Sequence, residues 1–258
     1  MSKDITKKTP MRGAVLYLTR NGILEPLGQS QVLAYLRGLS REYKFILISY
    51  EKKEDWADIE RVAKTRSECE ELGIIWKPLT FRRSPKFMAP ALSLLQLIWI
   101  AVCEVRKNDI RLIHARSYLP AAVAAFTGWL VGVPYIFDMR GFWPEELITA
   151  GRLRRGSALH RTLATVERMC LSRAATIVVL THAALEYLNV AHAKEIAGKR
   201  IVIIPTCADL DRFVPSSRPT GRRVIGCLGT VLSGWFRVDW LSSFMRTVAS
   251  YDSSIFFE

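Results

Sequence analysis

Short apolar runs rich in β-branched residues alternate along this chain with longer segments in which apolar residues recur at helical spacing. The short runs predict strands and the longer segments predict helices. The predicted strands are 14–19, 44–49, 74–79, 111–115, 135–138, 176–180 and 201–204, and the predicted helices are 29–41, 58–72, 91–107, 120–130, 158–172 and 182–196. Strands that alternate with helices of this length form a parallel sheet covered on both faces. The sequence therefore predicts an α/β fold with a doubly wound, Rossmann-like parallel sheet.

The pattern is interrupted after the seventh predicted strand. Residues 214–222 contain Pro215, Pro219 and Gly221, which break regular structure and predict a hinge. Beyond it a strand (223–228), a helix (238–250) and another strand (254–257) repeat the opening pattern. We therefore expect a first domain over residues 1–213, a hinge over 214–222, and the beginning of an incomplete second Rossmann-like domain over 223–258.

The charge of the chain is strongly basic, with a formal net charge of +13. Basic residues cluster at 82–86, 106–107, 152–155 and 222–223. Such clusters attract phosphate groups of a nucleotide, an anionic membrane surface or a nucleic acid, although solvated surface faces also explain them. No nucleic-acid-binding motif accompanies the charge, so we expect no nucleic-acid partner.

The cysteine pattern and the apolar segments indicate a cytoplasmic protein. The five cysteines are scattered without any C-x-x-C pair, which argues against disulfides and a metal site and favours small buried side chains. The first apolar run is too short for an export signal. The longest, Ala89–Cys103, falls short of the about 20 residues of a membrane span and predicts a buried helix.

A ligand site is expected at the carboxyl ends of the strands, as in other doubly wound sheets. The first candidate is the loop 21–31, NGILEPLGQSQ, in which Gly28 permits a positive φ and Ser30 is a candidate N-cap. A loop that leads into a helix N-terminus offers free amides to an anion, although an ordinary strand–helix turn explains the same residues. Glu51 follows the second strand as a ribose-binding acid would, but no G-x-G-x-x-G accompanies it.

Two further candidates follow later strands. His114 and Arg116 lie two positions apart at the end of the fourth strand, so they share one side of it. Arg140 follows the fifth strand, where an arginine is best explained by a carboxylate or phosphate partner. Glu145 lies on the loop beyond and is a candidate for contacting a substrate hydroxyl.

Five segments in this order resemble glycosyltransferase family 4, the retaining enzymes of GT-B fold: EPLGQSQVLAYLRGLS, IHARSYLPA, VPYIFDMRGFWPEE, VVLTHAALEYL and IIPTCADLDRF. The resemblance covers residues 11–258. It implies two facing Rossmann-like domains, of which the first binds chiefly the acceptor and the second binds a nucleotide-sugar without a metal. It also implies a glycan or lipid-linked acceptor, in some members at a membrane surface.

The same resemblance implies roles for individual residues. Gly28 and Ser30 would lie near the donor diphosphate, and Gly229 and Arg237 would contact phosphate from the second domain. Arg116 stands where many members carry the second His of an H-x-H pattern, which leaves a family-style role for His114 in doubt. Gly141 follows Arg140 where an aspartate is usual.

These observations predict a retaining glycosyltransferase of polysaccharide biosynthesis, with Arg116, Arg140 and Glu145 as catalytic residues. The expected partners are a nucleotide-sugar donor, a sugar or lipid-linked acceptor and an anionic membrane surface at which the protein is peripheral. No cofactor is expected. Because part of the second domain is expected to be missing, we predict negligible activity from this chain. Two alternatives remain: a non-catalytic module that binds an anionic lipid or a partner protein, and a nucleotide-dependent oxidoreductase.

Overall fold

The computed structural model describes residues 13–80, 89–208, 210, 213–214, 223–227 and 237–258. Its main feature is a seven-stranded sheet in the order β3-β2-β1-β4-β5-β6-β7, and every pair of neighbouring strands is parallel. The strands are β1 (Ala14–Thr19), β2 (Lys44–Glu51), β3 (Ile75–Thr80), β4 (Ile110–Arg116), β5 (Tyr135–Asp138), β6 (Thr176–Val179) and β7 (Arg200–Ile203). The predicted fold class is confirmed.

Helices connect these strands at the predicted places. They are α1 (Pro26–Gly28), a π-helical turn (Gln29–Leu33), α2 (Ala34–Leu39), a 3-10 turn (Asp55–Ala57), α3 (Ile59–Glu71), α4 (Ala89–Lys107), α5 (Tyr118–Val131), α6 (Trp143–Thr149), α7 (Ala158–Arg173), α8 (His182–Ala191) and α9 (Ala193–Ile196). Side-chain caps begin several of them: Asp58, Ser157 and Thr181 each accept a hydrogen bond from the backbone amide three residues later.

The core lies on both faces of the sheet, because the two sets of alternating strand residues are both apolar. Leu16, Leu18 and Phe137 belong to the larger cluster, against which α4, α5 and α7 pack. Tyr17 and Leu47 belong to a smaller cluster on the other face, together with residues of the π-turn and α2. Burial on both faces is the reason that these strands read as continuous apolar runs.

Residues after the first sheet form a separate small unit. Strands β8 (Arg223–Ile225) and β9 (Ile255–Phe257) pair in parallel as a two-stranded sheet, and α10 (Val238–Tyr251) connects them. They do not extend the seven-stranded sheet. The predicted hinge lies almost wholly outside the described residues, so the domain boundaries and the incompleteness of the second unit stay predictions.

Three sequence-based expectations about local structure are wrong. Glu145 lies in helix α6, which begins at a proline-containing first turn, and not in a loop. Helix α4 buries only one face, and Leu92, Leu95 and Trp99 are exposed. The cysteines are all free thiols, but Cys207 and Cys227 are exposed and so are not core residues.

Candidate active site

The carboxyl ends of β1 and β4 define a crevice at the centre of the sheet. The chain passes from β1 outward through β2 to β3, and then from β4 outward in the opposite direction to β7. Adjacent strands with connections that diverge in this way leave a gap at their carboxyl ends, where ligands of such sheets bind. Thr19 and Arg116 are partners in register at this edge, and Asp138 of β5 is the partner of Arg116.

Three cationic or imidazole side chains surround Asp138. His114 Nε2 lies 3.4 Å from Asp138 Oδ2, and Arg116 Nη1 lies 3.5 Å from the same oxygen. Arg140 Nη1 lies 3.5 Å from Asp138 Oδ1. The predicted sharing of one strand side by His114 and Arg116 is therefore confirmed, and the carboxylate partner expected for Arg140 is Asp138.

Gln31 links the two arginines. Its Oε1 accepts a hydrogen bond from Arg116 Nη2 at 2.6 Å and another from Arg140 Nη2 at 3.2 Å. The π-turn brings Gln31 to this position, with Ala34 donating to the carbonyl of Gln29 five residues earlier. Such turns lie frequently at functional sites, because the extra residue shifts the side chains that follow around the helix axis. Arg140 Nη2 also donates to Thr206 Oγ1 at 3.1 Å.

The electrostatics of this cluster favour the ionised form of Asp138 but oppose the charged forms of Arg116 and Tyr17. Burial opposes ionisation of Asp138, but its hydrogen bond with His114 and the nearby guanidinium groups outweigh burial and hold its pKa below the ordinary value. Burial lowers the pKa of Arg116, which is only 3% exposed. Its Nε is buried and has no hydrogen-bond partner among the described residues. Burial, followed by the charge of Asp138, raises the pKa of Tyr17, whose ring stacks on His114 at 4.4 Å.

The loop between β1 and α1 is held by Glu51, although the position of this residue after β2 resembles that of a ribose-binding acid. Glu51 is fully buried, and its carboxylate accepts from the amides of Ile23 at 2.9 Å and Leu24 at 3.1 Å and from Ser49 Oγ at 2.5 Å. Its oxygens are therefore occupied by the protein itself. This residue anchors the loop and does not face a ligand.

The loop glycines are required by close contacts and not by positive φ. Gly28 has φ −66°, a right-handed helical value, and a Cβ there would overlap the carbonyl oxygen of Gly22. A Cβ at Gly22 would overlap the Glu51 carboxylate. The expectation that Gly28 serves a left-handed turn is wrong, because close packing of loop against helix explains it.

Ser30 is not an N-cap. It lies inside the π-turn, and its Oγ donates to the carbonyl oxygen of Pro26 at 3.0 Å. The helical segment begins earlier, at Pro26, with Glu25 as its N-cap residue. A proline at the first helical position explains this earlier start.

Ser117 follows β4 with a strained backbone. Its φ of 73° and ψ of 177° fall in a region that only glycine occupies readily. Its amide donates to the carbonyl oxygen of Asp138 at 2.9 Å, and its carbonyl accepts from Ala121 at 3.0 Å. Strain of this kind is found mainly at functional sites, and here it lies at the crevice between β1 and β4.

The structure does not bring the remaining predicted site residues into the cluster. Glu145 forms an ion pair with Arg155 on the surface beside α6. Arg237 donates to both carboxylate oxygens of Asp239, at 3.0 and 2.7 Å, and lies over the Trp240 ring. Gly229 lies outside the described residues. Among the residues that the structure describes, no group of His, Cys, Asp or Glu side chains could hold a metal ion.

Sequence reasoning missed Gln31, Thr206 and the role of Asp138. Gln31 is 85 residues from Arg116 and 109 from Arg140 along the chain, so no local pattern reveals the contact. One signal was available: Asp138 ends a buried strand, and a carboxylate there needs a cationic partner.

Comparison with protein families identifies the family to which this chain belongs. The family model described as "Glycosyl transferase 4-like domain" matches residues 30–207. Since this match spans most of the chain, the protein belongs to that family, as the sequence resemblance predicted. A search of curated protein sequences gave no match.

Several solved structures share this fold over nearly the whole chain. UGT89C1 of Arabidopsis thaliana, complexed with UDP-L-rhamnose, has a TM-score of 0.57 and 11% identity over 95% of this chain and 64% of that chain. HepE of Anabaena, in complex with UDP and glucose, has a TM-score of 0.53 and 12% identity over 95% of this chain and 68% of that one. Sucrose-phosphate synthase of Thermosynechococcus elongatus has a TM-score of 0.56 and 10% identity over 96% and 70%. This chain thus spans about two thirds of their length.

Proposed function

We propose that this protein contributes the acceptor-side lobe of a retaining glycosyltransferase that moves a sugar from a nucleotide-sugar to a glycan or lipid-linked acceptor in polysaccharide biosynthesis. The observation that supports this proposal most directly is the pair Arg116 and Arg140 at the crevice between β1 and β4 in a chain of the glycosyl transferase 4-like family. Two guanidinium groups against one carboxylate leave positive charge at the place where a ligand of this fold binds.

The excess positive charge of Arg116 and Arg140 could stabilise the leaving group of a sugar transfer. The leaving nucleotide diphosphate gains negative charge as its bond to the sugar breaks, and fixed cations in a water-poor site stabilise that charge. Arg116 and Arg140 would supply these cations from the first lobe, and Arg237 is a candidate for a further cation from the second unit. The loop held by Glu51 would position Gly28 and Ser30 beside the donor. We propose that the reaction uses no resident cofactor.

Binding of a donor tests this proposal. The ¹⁵N-labelled chain is titrated with UDP-glucose and with UDP, and amide shifts are followed by NMR. We expect shifts at Thr19, Gln31 and Ser117, and their loss in Arg140→Ala. Arg155→Ala is the matched control, because Arg155 also pairs with a carboxylate but lies outside the cluster. Shifts confined to other surfaces, or equal in Arg140→Ala, would overturn the assignment of this site.

A second candidate function is binding to an anionic membrane surface from the cytoplasmic side, and one observation favours it. Helices α4 and α5 pack side by side, and large apolar side chains on both are exposed; we call this set of side chains the α4–α5 surface. It consists of Leu92, Leu95, Trp99, Phe126, Trp129 and Leu130. Trp99 and Trp129 are 69% and 67% exposed. Contiguous exposed apolar surface marks an interaction site in soluble proteins, and we propose that these side chains form one.

Cations accompany this surface. Arg106 and Lys107 end helix α4, and Arg173 lines a cavity of about 480 Å³ together with Trp129. Tryptophan is favoured at the boundary between lipid and water, and arginine and lysine attract anionic headgroups. No described helix is long and apolar enough to cross a membrane. Attachment would therefore be peripheral, through the α4–α5 surface.

Sedimentation with lipid vesicles tests this candidate. We expect the chain to bind vesicles that contain phosphatidylglycerol, and to bind them less tightly at high salt. The double variant Trp99→Ser/Trp129→Ser should bind about tenfold more weakly, because the aromatic area that the lipid would bury is removed. Trp240→Ser is the matched control, since Trp240 is also 67% exposed but lies on α10. Equal binding by all three proteins would exclude the α4–α5 surface.

A further inference from the structure

We propose that the side-chain oxygen of Gln31 occupies the place of a ligand oxyanion, and that an anionic ligand displaces it from Arg116 and Arg140. The ligand class is a phosphate, diphosphate or carboxylate group. The inference deepens the proposed function and rests on it only for the identity of the anion.

The hydrogen bonds of Gln31 are those that an oxyanion would make. One neutral amide oxygen accepts from two guanidinium groups, at 2.6 Å from Arg116 and 3.2 Å from Arg140. Hydrogen bonds from arginine to a charged oxygen are about twice as strong as those to a neutral one. An anion of suitable size would therefore replace the amide oxygen with a net gain.

The charges of the cluster are not balanced in the present state. Arg116 and Arg140 carry two positive charges, and Asp138 carries one negative charge. Both arginine contacts with Asp138 are 3.5 Å, beyond the range of a good charged hydrogen bond. The ion pairs therefore leave both guanidinium groups able to take a further anionic partner.

A buried donor of Arg116 is unused. Arg116 is 3% exposed, and its buried Nε finds no hydrogen-bond partner within the part of the chain that the structure describes. A buried donor without a partner is costly, and such a group in a native structure calls for an explanation. A ligand that presents more than one oxygen could accept from Nε while another oxygen replaces Gln31, which explains the unused donor.

Gln31 is held loosely enough to be displaced, as a comparison with Gln29 in the same π-turn shows. Gln29 Nε2 donates to the carbonyl oxygen of Ile23 at 2.6 Å and to Thr65 Oγ1 at 3.2 Å, so it anchors the turn. Gln31 is held only by the two arginines, and its amide nitrogen makes no hydrogen bond with any described residue. Rotation of its side chain therefore breaks no other described contact.

Two variants of Gln31 separate this role from a structural one. Gln31→Glu places a permanent carboxylate between the arginines, so we expect a higher melting temperature without ligand and at least about tenfold weaker binding of inorganic pyrophosphate. Gln31→Met removes the competing oxygen, so we expect a lower melting temperature without ligand and about tenfold tighter binding of pyrophosphate. Gln96→Glu and Gln96→Met, on the exposed side of α4, are the matched controls.

Calorimetric titration and thermal unfolding with inorganic pyrophosphate, inorganic phosphate and glucuronate measure these effects. Preference for pyrophosphate indicates the donor diphosphate, and preference for glucuronate indicates an acidic acceptor. The proposal is overturned if Gln31→Met weakens pyrophosphate binding as Gln31→Glu does, or if the wild-type chain binds none of the three anions. Binding of pyrophosphate at the cluster without any binding of UDP-glucose would instead contradict the proposed function alone.

Discussion

Glu51 illustrates at the residue scale how a buried carboxylate can be structural although its position suggests a ligand. Burial raises its pKa, while hydrogen bonds from Ser49, Ile23 and Leu24 partly oppose that rise. Glu51→Ala should leave two buried amides without acceptors and destabilise the protein by about 3 kcal/mol. Glu51→Gln should lose less stability, because its side-chain amide oxygen can still accept one of these hydrogen bonds. Urea unfolding of both variants measures the difference, and equal losses would show that the hydrogen bonds are unimportant.

A substitution at Ser117 should raise the stability of the protein, whereas the substitutions at Glu51 should lower it. Its backbone lies where glycine is favoured, so Ser117→Gly should relieve strain and stabilise the protein by about 1 kcal/mol. Thermal unfolding measures this gain. Ser157→Gly is the control, since Ser157 has an ordinary extended φ of −64° and caps α7 with its side chain, so glycine there should be destabilising. A loss of stability in Ser117→Gly would show that the serine is not strained.

Asp138 gives a prediction for pH dependence. Its folded-state pKa lies below the ordinary value of 3.8, so its contribution to stability is complete above that pH and is lost as pH falls below it. At neutral pH Asp138→Asn should be about 3 kcal/mol less stable than wild type, since it leaves two guanidinium groups without their carboxylate. Unfolding in urea across the acid range should show this difference shrink below pH 3.8. A difference that stays constant would contradict the ion-pair role.

At the scale of elements, the β1–α1 loop packs closely against the helix that follows. Gly28→Ala would overlap the carbonyl oxygen of Gly22 and should destabilise the protein by about 3 kcal/mol. Gly38→Ala is the matched control in α2, because no atom lies within 4 Å of a Cβ there. It should stabilise the helix by about 0.5–1 kcal/mol. Calorimetry of both variants measures the contrast.

Local sequence patterns predicted some of the helices and strands and failed for others. The seven strands and most helices were predicted because apolar periodicity and caps are encoded by neighbouring residues. The same patterns misplaced Ser30, since the helical segment begins earlier, at Pro26, and a five-residue π-turn has no periodic signature. Helix α6 was missed because its seven residues are too few to show a period.

At the scale of the whole molecule, the cluster of Arg116 and Arg140 supplies one wall of a crevice. Retaining transfer needs donor phosphate, departing sugar and acceptor held together, with water excluded. Where the proposed transfer takes place, Arg140→Ala should slow the release of UDP from UDP-glucose in the presence of an oligosaccharide acceptor by at least about tenfold, because one cation beside the leaving diphosphate is lost. A coupled assay for UDP measures this. Equal release by wild type and variant would show that Arg140 takes no part in transfer.

The sequence by itself determined the alternation of strands and helices, and with it the edge of the sheet where Arg116 and Arg140 would lie. Burial preference and backbone geometry act between residues close in the chain, so they can be recognised without coordinates. Only the tertiary structure decided that Gln31 meets both arginines, that Glu51 faces its own loop and that Glu145 turns to Arg155. Those contacts depend on strand order and on the path of a single π-turn, which join residues far apart in the chain.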